Sequence, residues 1–402
     1  MTVYFAMLLH IYQPPIQIAP VIKQVTQETY RPLIKSLKAF PHAKITLNIN
    51  ATLTEQLDDY GFNDVITELS LLAYNGQVEF TGSSKYHALL PLTPPSEIKR
   101  QIKLNEDTNR HYFGKSYQPK GFFPPEMAVS KEIFPIIKDA GYEWVAMSAI
   151  GNPHNIFPTT TFHQTPEGLA VAFRDDKISN NISFGKTGHL DFLNQLKYRN
   201  TDEDYYVIIA QDGETHGHHV KNSFDVFINP LFKELQKRTD VKLVTIGEMM
   251  EKFPKGDIIE PKASSWSTDI GDLNYNAPLP LWFHPDNDIH ILQHKIVMKT
   301  ISLVTTAQQY QHEANSEQKH YYNVARTLLD RGQHSCQLWW ASKRPWYSPD
   351  MIIRGLNEVF LSAVNARRSL PTSVRDKDIY KTFTETLKEL LDLQSSLIIK
   401  LE

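Results

Sequence analysis

Cysteine is almost missing from this chain: its 402 residues hold one, Cys336. A single thiol excludes an intrachain disulfide framework and fits a reducing compartment, so a cytoplasmic setting is expected. Followed by Gln337-Leu-Trp-Trp340, it reads as a small core residue and not as a nucleophile. Long apolar runs are missing as well; none approaches the roughly 18 residues of a membrane helix, so no membrane partner is expected. Met1–His10 is apolar but has neither a basic start nor a small-residue cleavage site, so no secretory leader is expected. An excess of positive charge is also absent. Net charge is −3 with acids and bases interspersed, which excludes the basic footprint of a nucleic-acid binder. There is no low-complexity tract and no repeat. What is left is an ordinary globular chain, long enough for one large domain plus a smaller one.

Short apolar runs alternate with longer segments of helical period. Strand-like runs are Val3–Leu9, Lys44–Asn50, Gln77–Thr81, Gly121–Phe123, Tyr142–Ser148, Tyr205–Ala210 and Val241–Thr245. Between them lie helix-like segments such as Glu28–Ala39, Thr52–Tyr60, Glu97–Phe113, Ser130–Gly141 and Phe224–Arg238. Strands alternating with helices predict βαβ units and a parallel sheet. About seven such units over about 270 residues point to a barrel rather than an open sheet. Residues 167–200 contain Gly and Asn, look irregular, and are expected to form a long active-site loop. After about Pro285 only helical periods remain, so the expected organisation is a catalytic α/β barrel over 1–285 and a helical domain over 286–402.

In barrels, functional residues sit at the C-terminal ends of strands. Two carboxylates do so here. Glu126 follows Gly121-Phe-Phe-Pro-Pro, where the prolines cannot continue a sheet ladder and so fix the loop. Asp212 follows Tyr206-Val-Ile-Ile-Ala-Gln, and Gly213 and Gly217 allow tight backbone beside it. Two carboxylates from the ends of two strands are what glycosidic cleavage needs, one as nucleophile and one as proton donor and acceptor. The plain alternatives are a helix-flanking Glu that favours the helix dipole and a solvated turn Asp.

Other segments offer sugar-binding chemistry. His10-Ile-Tyr12-Gln13-Pro14-Pro15 presents donors and acceptors at the first strand end. Glu79 lies within a strand, and His87 precedes Leu89-Leu90-Pro91, where a core histidine is the alternative. Trp266 and the Trp339, Trp340, Trp346 group supply aromatic faces; Trp339 and Trp340 read as core.

Together these motifs resemble glycoside hydrolase family 57, whose members act on α-glucans. The matching segments, in the family's order, are His10-Ile-Tyr-Gln-Pro14, Gly76-Gln-Val-Glu79, Phe123-Pro-Pro-Glu126 and Asp212-Gly-Glu214. Ala263-Ser-Ser-Trp266, Phe173-Arg174-Asp175 and the tail with Trp339-Trp340-Ala-Ser also resemble family segments. The resemblance implies an incomplete (β/α)7 barrel followed by an α-helical domain. It implies a retaining enzyme of amylase or 4-α-glucanotransferase type, with Glu126 as nucleophile and Asp212 as acid/base. Such an enzyme would keep the two carboxyl groups about 5–5.5 Å apart, with the pKa of Asp212 raised and Glu126 ionised. Sugar would be bound by His10, Gln13, Glu79, His87, Asp175 and Trp266, with no metal or other cofactor. The departures are Tyr12 for a second His, Phe123 for a Trp, and Val145-Ala-Met-Ser148-Ala149 where acidic residues are usual. Two rivals stand beside this reading. One is a metal-dependent polysaccharide deacetylase using His10, Asp212, His216, His218 and His219 as ligands. The other is a non-catalytic glycan-binding relative. Linkage, chain length, oligomeric state and the choice between water and sugar as acceptor are not encoded in these motifs.

Overall fold

The computed structural model describes residues 1–154, 160–197, 202–374 and 377–401. The chain divides into two compact units, Met1–Lys85 with Thr93–Thr268, and Tyr86–Leu92 with Asp269–Glu402. The boundary expected at 285 falls inside the second unit.

The first unit is built on ten strands: β1 (Val3–Ile11), β2 (Ile45–Ile49), β3 (Val78–Gly82), β4 (Gly121–Phe122), β5 (Trp144–Ser148), β6 (Phe162–Gln164), β7 (Ala170–Arg174), β8 (Tyr205–Asp212), β9 (Val241–Leu243) and β10 (Lys255–Ile258). Seven of them run parallel in the order β7-β5-β4-β3-β2-β1-β8. The two ends of this row meet without a ladder: the Asp175 N–H donates to Ile208 O at 2.7 Å. The result is the expected (β/α)7 barrel, incomplete at the β7–β8 seam. β6 and β10 extend the sheet beyond β7, and β9 pairs with the start of β1.

Alternation along the strands decides what faces inward. In β1, Val3, Phe5, Met7, Leu9 and Ile11 join the outer core beneath the helices, while Ala6 and Leu8 point into the barrel with Tyr4 packed against them. In β8, Tyr205, Val207 and Ile209 face outward and Tyr206, Ile208 and Ala210 inward. A period of two then carries His10 and Asp212 onto the inner face, where they are register partners. The buried cluster of the inner face also holds Phe123, Met127, Trp144, Phe162, Ile246, Met249 and Phe253.

The irregular loop expected over 167–200 is, in its described part, ordered structure: β7, then helices Asp176–Ser183 and His189–Leu196. Five-residue β7 is too short to show a period, and pairing with β5 from Trp144↔Ala170 to Ser148↔Arg174 makes it a strand. Residues 198–200 of that stretch lie outside the described ones.

The second unit is helical, with Asp288–Gln309, Ser316–Gly332, Pro349–Arg368 and Asp378–Leu401 as its long elements. Trp340 is buried in it, whereas half-buried Trp339 stacks on exposed Trp346 at 5.7 Å between ring centres. Among the described residues no helix is long and apolar enough to cross a membrane.

Candidate active site

Glu126 is presented by a strained turn. Pro124 and Pro125 fix the entry, and Glu126 and Met127 then both adopt positive φ, 61° and 47°. Left-handed backbone at non-glycine residues costs on the order of 1–3 kcal/mol each and persists only where surroundings impose it. Here they do. Met127 is fully buried, its N–H donates to Pro124 O at 2.8 Å, and the Trp266 N–H donates to Glu126 O at 3.1 Å. The Trp266 indole Nε1–H donates to Glu126 Oε2 at 2.9 Å.

Asp212 ends β8, open to solvent at its tip but crowded by protein on all other sides. Burial drives its pKa up to about 6, against the pull of the Arg174 charge. Burial, together with the Asp212 charge, pushes Glu126 up to about 8, and the Trp266 hydrogen bond opposes this only in part. The order differs from the expectation that Asp212 would hold the proton and Glu126 would be ionised. The cause is placement: Glu126 is deeper and takes a hydrogen bond from the neutral Trp266 indole, while Asp212 has the Arg174 cation nearby.

His10 sits under both. Its Nδ1 faces Asn48 Oδ1 at 2.6 Å, and because Asn48 Nδ2–H donates to Thr81 Oγ1 at 3.0 Å, the oxygen accepts and Nδ1 carries the hydrogen. Burial lowers the His10 pKa to about 4, so the ring is neutral and Nε2 is its acceptor side. Phe123 lies parallel to this ring at 4.7 Å and Tyr12 at 6.1 Å, with Trp266 edge-on at 6.1 Å. Two of the departures noted in the sequence, Tyr12 and Phe123, thus stack on His10. Phe123 is fully buried, so the half-buried Tyr12 and Trp266 are the rings with surface to offer the C–H face of a sugar.

A third carboxylate, Glu214, was noticed in the sequence but not among the expected site residues. It is buried, and its Oε1 accepts from the Tyr30 hydroxyl at 2.6 Å, the Tyr12 N–H at 3.3 Å and Gln13 Nε2 at 3.4 Å. Burial and the Asp212 charge raise its pKa to about 8. Gln13 is therefore tied to Glu214 while its Oε1 accepts from Gln17. Arg174 was also missed, although its neighbour Asp175 was named. Buried Arg174 lies over the Trp266 ring at 5.6 Å. Asp175 instead caps helix Asp176–Ser183, accepting from the Ile178 N–H at 2.9 Å.

Two other expected residues, Glu79 and His87, are held by other partners. The Glu79 carboxylate accepts from Thr46 Oγ1 at 2.9 Å and from the Gly247 N–H at 3.0 Å, capping helix Ile246–Lys252. It is two residues before Thr81 on β3, a layer below the level of Asn48 and His10. His87 belongs to the helical unit, buried, with Nδ1 at 2.7 Å from Ser335 Oγ. The glycines after Asp212 serve chain packing: a Cβ at Gly217 would come within 1.9 Å of Glu28 O, and one at Gly213 within 2.5 Å of the Ile11 side chain.

The histidines of the metal reading do not converge. His216 meets Ser223 Oγ and Gln211 Nε2 through its two ring nitrogens, His218 meets Glu28, and His10 meets Asn48. Among the described residues no group of three or more His, Cys, Asp or Glu is arranged to hold a metal ion.

A barrel whose mouth carries two carboxylates, the charge of Asp212 raising the pKa of Glu126, matches a known family model over residues 3–262. The chain belongs to glycosyl hydrolase family 57. An alpha-amylase of Pyrococcus horikoshii is 26% identical over 268 residues, which are 64% of this chain and 41% of that protein. A 4-alpha-glucanotransferase of Thermococcus litoralis is 24% identical over 64% of this chain and 40% of its own length. This chain thus spans about two fifths of these curated relatives. Among solved structures, a family 57 branching enzyme from Pyrococcus horikoshii superposes with a TM-score of 0.74 at 15% identity, covering 99% of this chain and 96% of that one. The Thermococcus litoralis 4-alpha-glucanotransferase gives 0.69 at 16% identity, covering 92% and 59%. These superpositions show the shared fold.

Proposed function

We propose that this family 57 chain is a retaining glycosidase or glucanotransferase acting on α-1,4-linked glucan, with Glu126 as nucleophile and Asp212 as general acid/base. The observation that carries the reading is the pair itself. Two carboxyl groups from different strand ends are close enough for the charge of Asp212 to raise the pKa of Glu126. The neutral His10 ring and the half-buried Tyr12 and Trp266 rings beside it support a sugar as the substrate. The names of the relatives, alpha-amylase and 4-alpha-glucanotransferase, support an α-glucan. A single cysteine, Cys336, supports a cytoplasmic setting.

In the first step Asp212 gives its proton to the glycosidic oxygen while Glu126 bonds to the anomeric carbon. In the second, Asp212 takes a proton from water or a sugar hydroxyl as that oxygen displaces Glu126. Burial leaves Glu126 holding its proton more tightly than Asp212. Substrate has to reverse that order. Positive charge developing at the anomeric carbon favours ionised Glu126, and the proton then belongs on Asp212.

The test is a product profile on maltoheptaose for wild type, Glu126→Gln and Asp212→Asn. Shorter oligosaccharides from wild type mean hydrolysis; shorter and longer ones mean transfer. Each variant is expected to lose about 10²–10⁴-fold in rate or more. A wild type that leaves maltoheptaose untouched, or variants as active as wild type, would overturn the reading.

A further inference from the structure

Among the described residues the barrel is ladder-paired except between β7 and β8, and Arg174 bridges that seam through Ala210 O. It is the last residue of β7, on the inward-facing parity of Ala172. Its Nε–H donates to Ala210 O at 2.8 Å, Nη1 to Asp176 Oδ1 at 3.3 Å and Nη2 to Asn180 Oδ1 at 2.6 Å. Three bonds to two separate elements fix a planar cation, and Asp176 is itself held by the Ser148 hydroxyl at 2.8 Å. Ala210 is two residues before Asp212 on the same inner face, so this cation is anchored directly beneath that carboxylate. On its other side lies the Trp266 ring at 5.6 Å, whose Nε1–H is bonded to Glu126. One buried guanidinium therefore borders Asp212 through its charge and Glu126 through an indole.

We propose that Arg174 is a positioning residue that lets Asp212 alternate between proton donor and proton acceptor, with Trp266 tying the same cation to Glu126. The proposal rests on the roles assigned to Glu126 and Asp212 above. In the first half-reaction the Asp212 O–H bond breaks and the departing sugar oxygen takes the proton. In the second the acceptor O–H bond breaks, Asp212 takes that proton, the acceptor oxygen bonds to the anomeric carbon, and the bond to Glu126 breaks. Burial alone favours the protonated acid and suits only the first half. A fixed cation favours the ionised form that the second half needs, without touching substrate. The acidic groups facing Arg174 are Asp212 from β8 and Asp175 and Asp176 from the following helix, with Glu126 behind Trp266. His10, edge-on to the same indole, is neutral. Glu214 lies within reach of the Asp212 charge.

The test uses a 4-nitrophenyl maltooligoside with wild type, Arg174→Met, Arg174→Gln and Arg174→Lys. The neutral variants are expected to show a nitrophenol burst of one equivalent followed by turnover about 10–100-fold slower, because the second half now lacks a ready base. Azide, a nucleophile needing no base, restores their turnover. The alkaline limb of the burst rate moves up by about one unit or more, and Arg174→Lys keeps it near wild type. Arg174→Gln retains an N–H for Ala210 O and carries the test if Arg174→Met does not fold. Folded neutral variants with no burst, no azide rescue and an unmoved limb would overturn the proposal and leave Arg174 a structural residue. A wild type that releases no nitrophenol would instead overturn the site assignment on which the proposal stands.

Discussion

Trp266 holds Glu126 at two points: its indole Nε1–H donates to Oε2 at 2.9 Å and its main-chain N–H donates to the Glu126 carbonyl at 3.1 Å. One residue thus restrains both the strained backbone and the carboxylate of the proposed nucleophile.

Replacing Trp266 by Phe keeps the ring and removes the donor. The indole bond lowers the Glu126 pKa, so its loss raises that pKa and shrinks the ionised fraction on the acidic side. A hydrogen bond to a charged group contributes about 1.5–3 kcal/mol, which corresponds to about a 10–100-fold loss. The expected outcome is that kcat/KM falls most below neutral pH, with the acidic limb displaced upward. A pH–rate profile of Trp266→Phe checks this; a uniform loss with an unmoved limb would point to lost stacking only.

Glu214 makes stability depend on pH. Its folded pKa of about 8 lies above the ordinary value near 4.5 because it is buried near Asp212. The folded state therefore binds more protons than the unfolded state between those values. The resulting stability is complete below about pH 4.5 and is lost as pH rises through about 8. Glu214→Gln preserves an oxygen acceptor for Tyr30, Tyr12 and Gln13 but cannot ionise. Its Tm is expected to exceed that of wild type by several degrees at pH 9, the gap closing towards pH 5. Thermal melts across that range decide; a constant difference would show that ionisation of Glu214 plays no part.

Glu79 separates fold from function. With its carboxylate on Gly247 N–H and Thr46 Oγ1, it is committed to a helix end within the barrel. Glu79→Ala leaves a buried N–H without its acceptor, at a cost of about 1–3 kcal/mol. Lower Tm with an unchanged KM for maltoheptaose is the expected pattern. A raised KM at wild-type Tm would return Glu79 to the sugar-binding set.

Much of the site could be read along the chain because strand periodicity is local. Once Val3–Leu9 and Tyr205–Ala210 are strands with apolar residues on both faces, a polar residue at the next inward position has to sit at the barrel mouth. His10 and Asp212 do. Pro124-Pro125 likewise announced a loop that aims Glu126. Arg174 and the work of Glu214 could not be read this way. Nothing near Ala170–Arg174 shows a period, and nothing at Tyr30 suggests a partner 184 residues away.

The sequence by itself determined the alternation of strands and helices, the inward parity of the long β1 and β8, and hence that His10 and Asp212 end at one face. These follow from steric and hydrophobic rules acting over a few neighbouring residues. The tertiary structure alone decided which side chains meet there. Barrel closure left a seam that Arg174 bridges, placed Tyr12 and Phe123 against His10, gave Glu79 to a helix end, and set how far burial raises each carboxyl pKa. Those outcomes depend on distances and local dielectric between residues far apart in the chain, which only the closed barrel fixes.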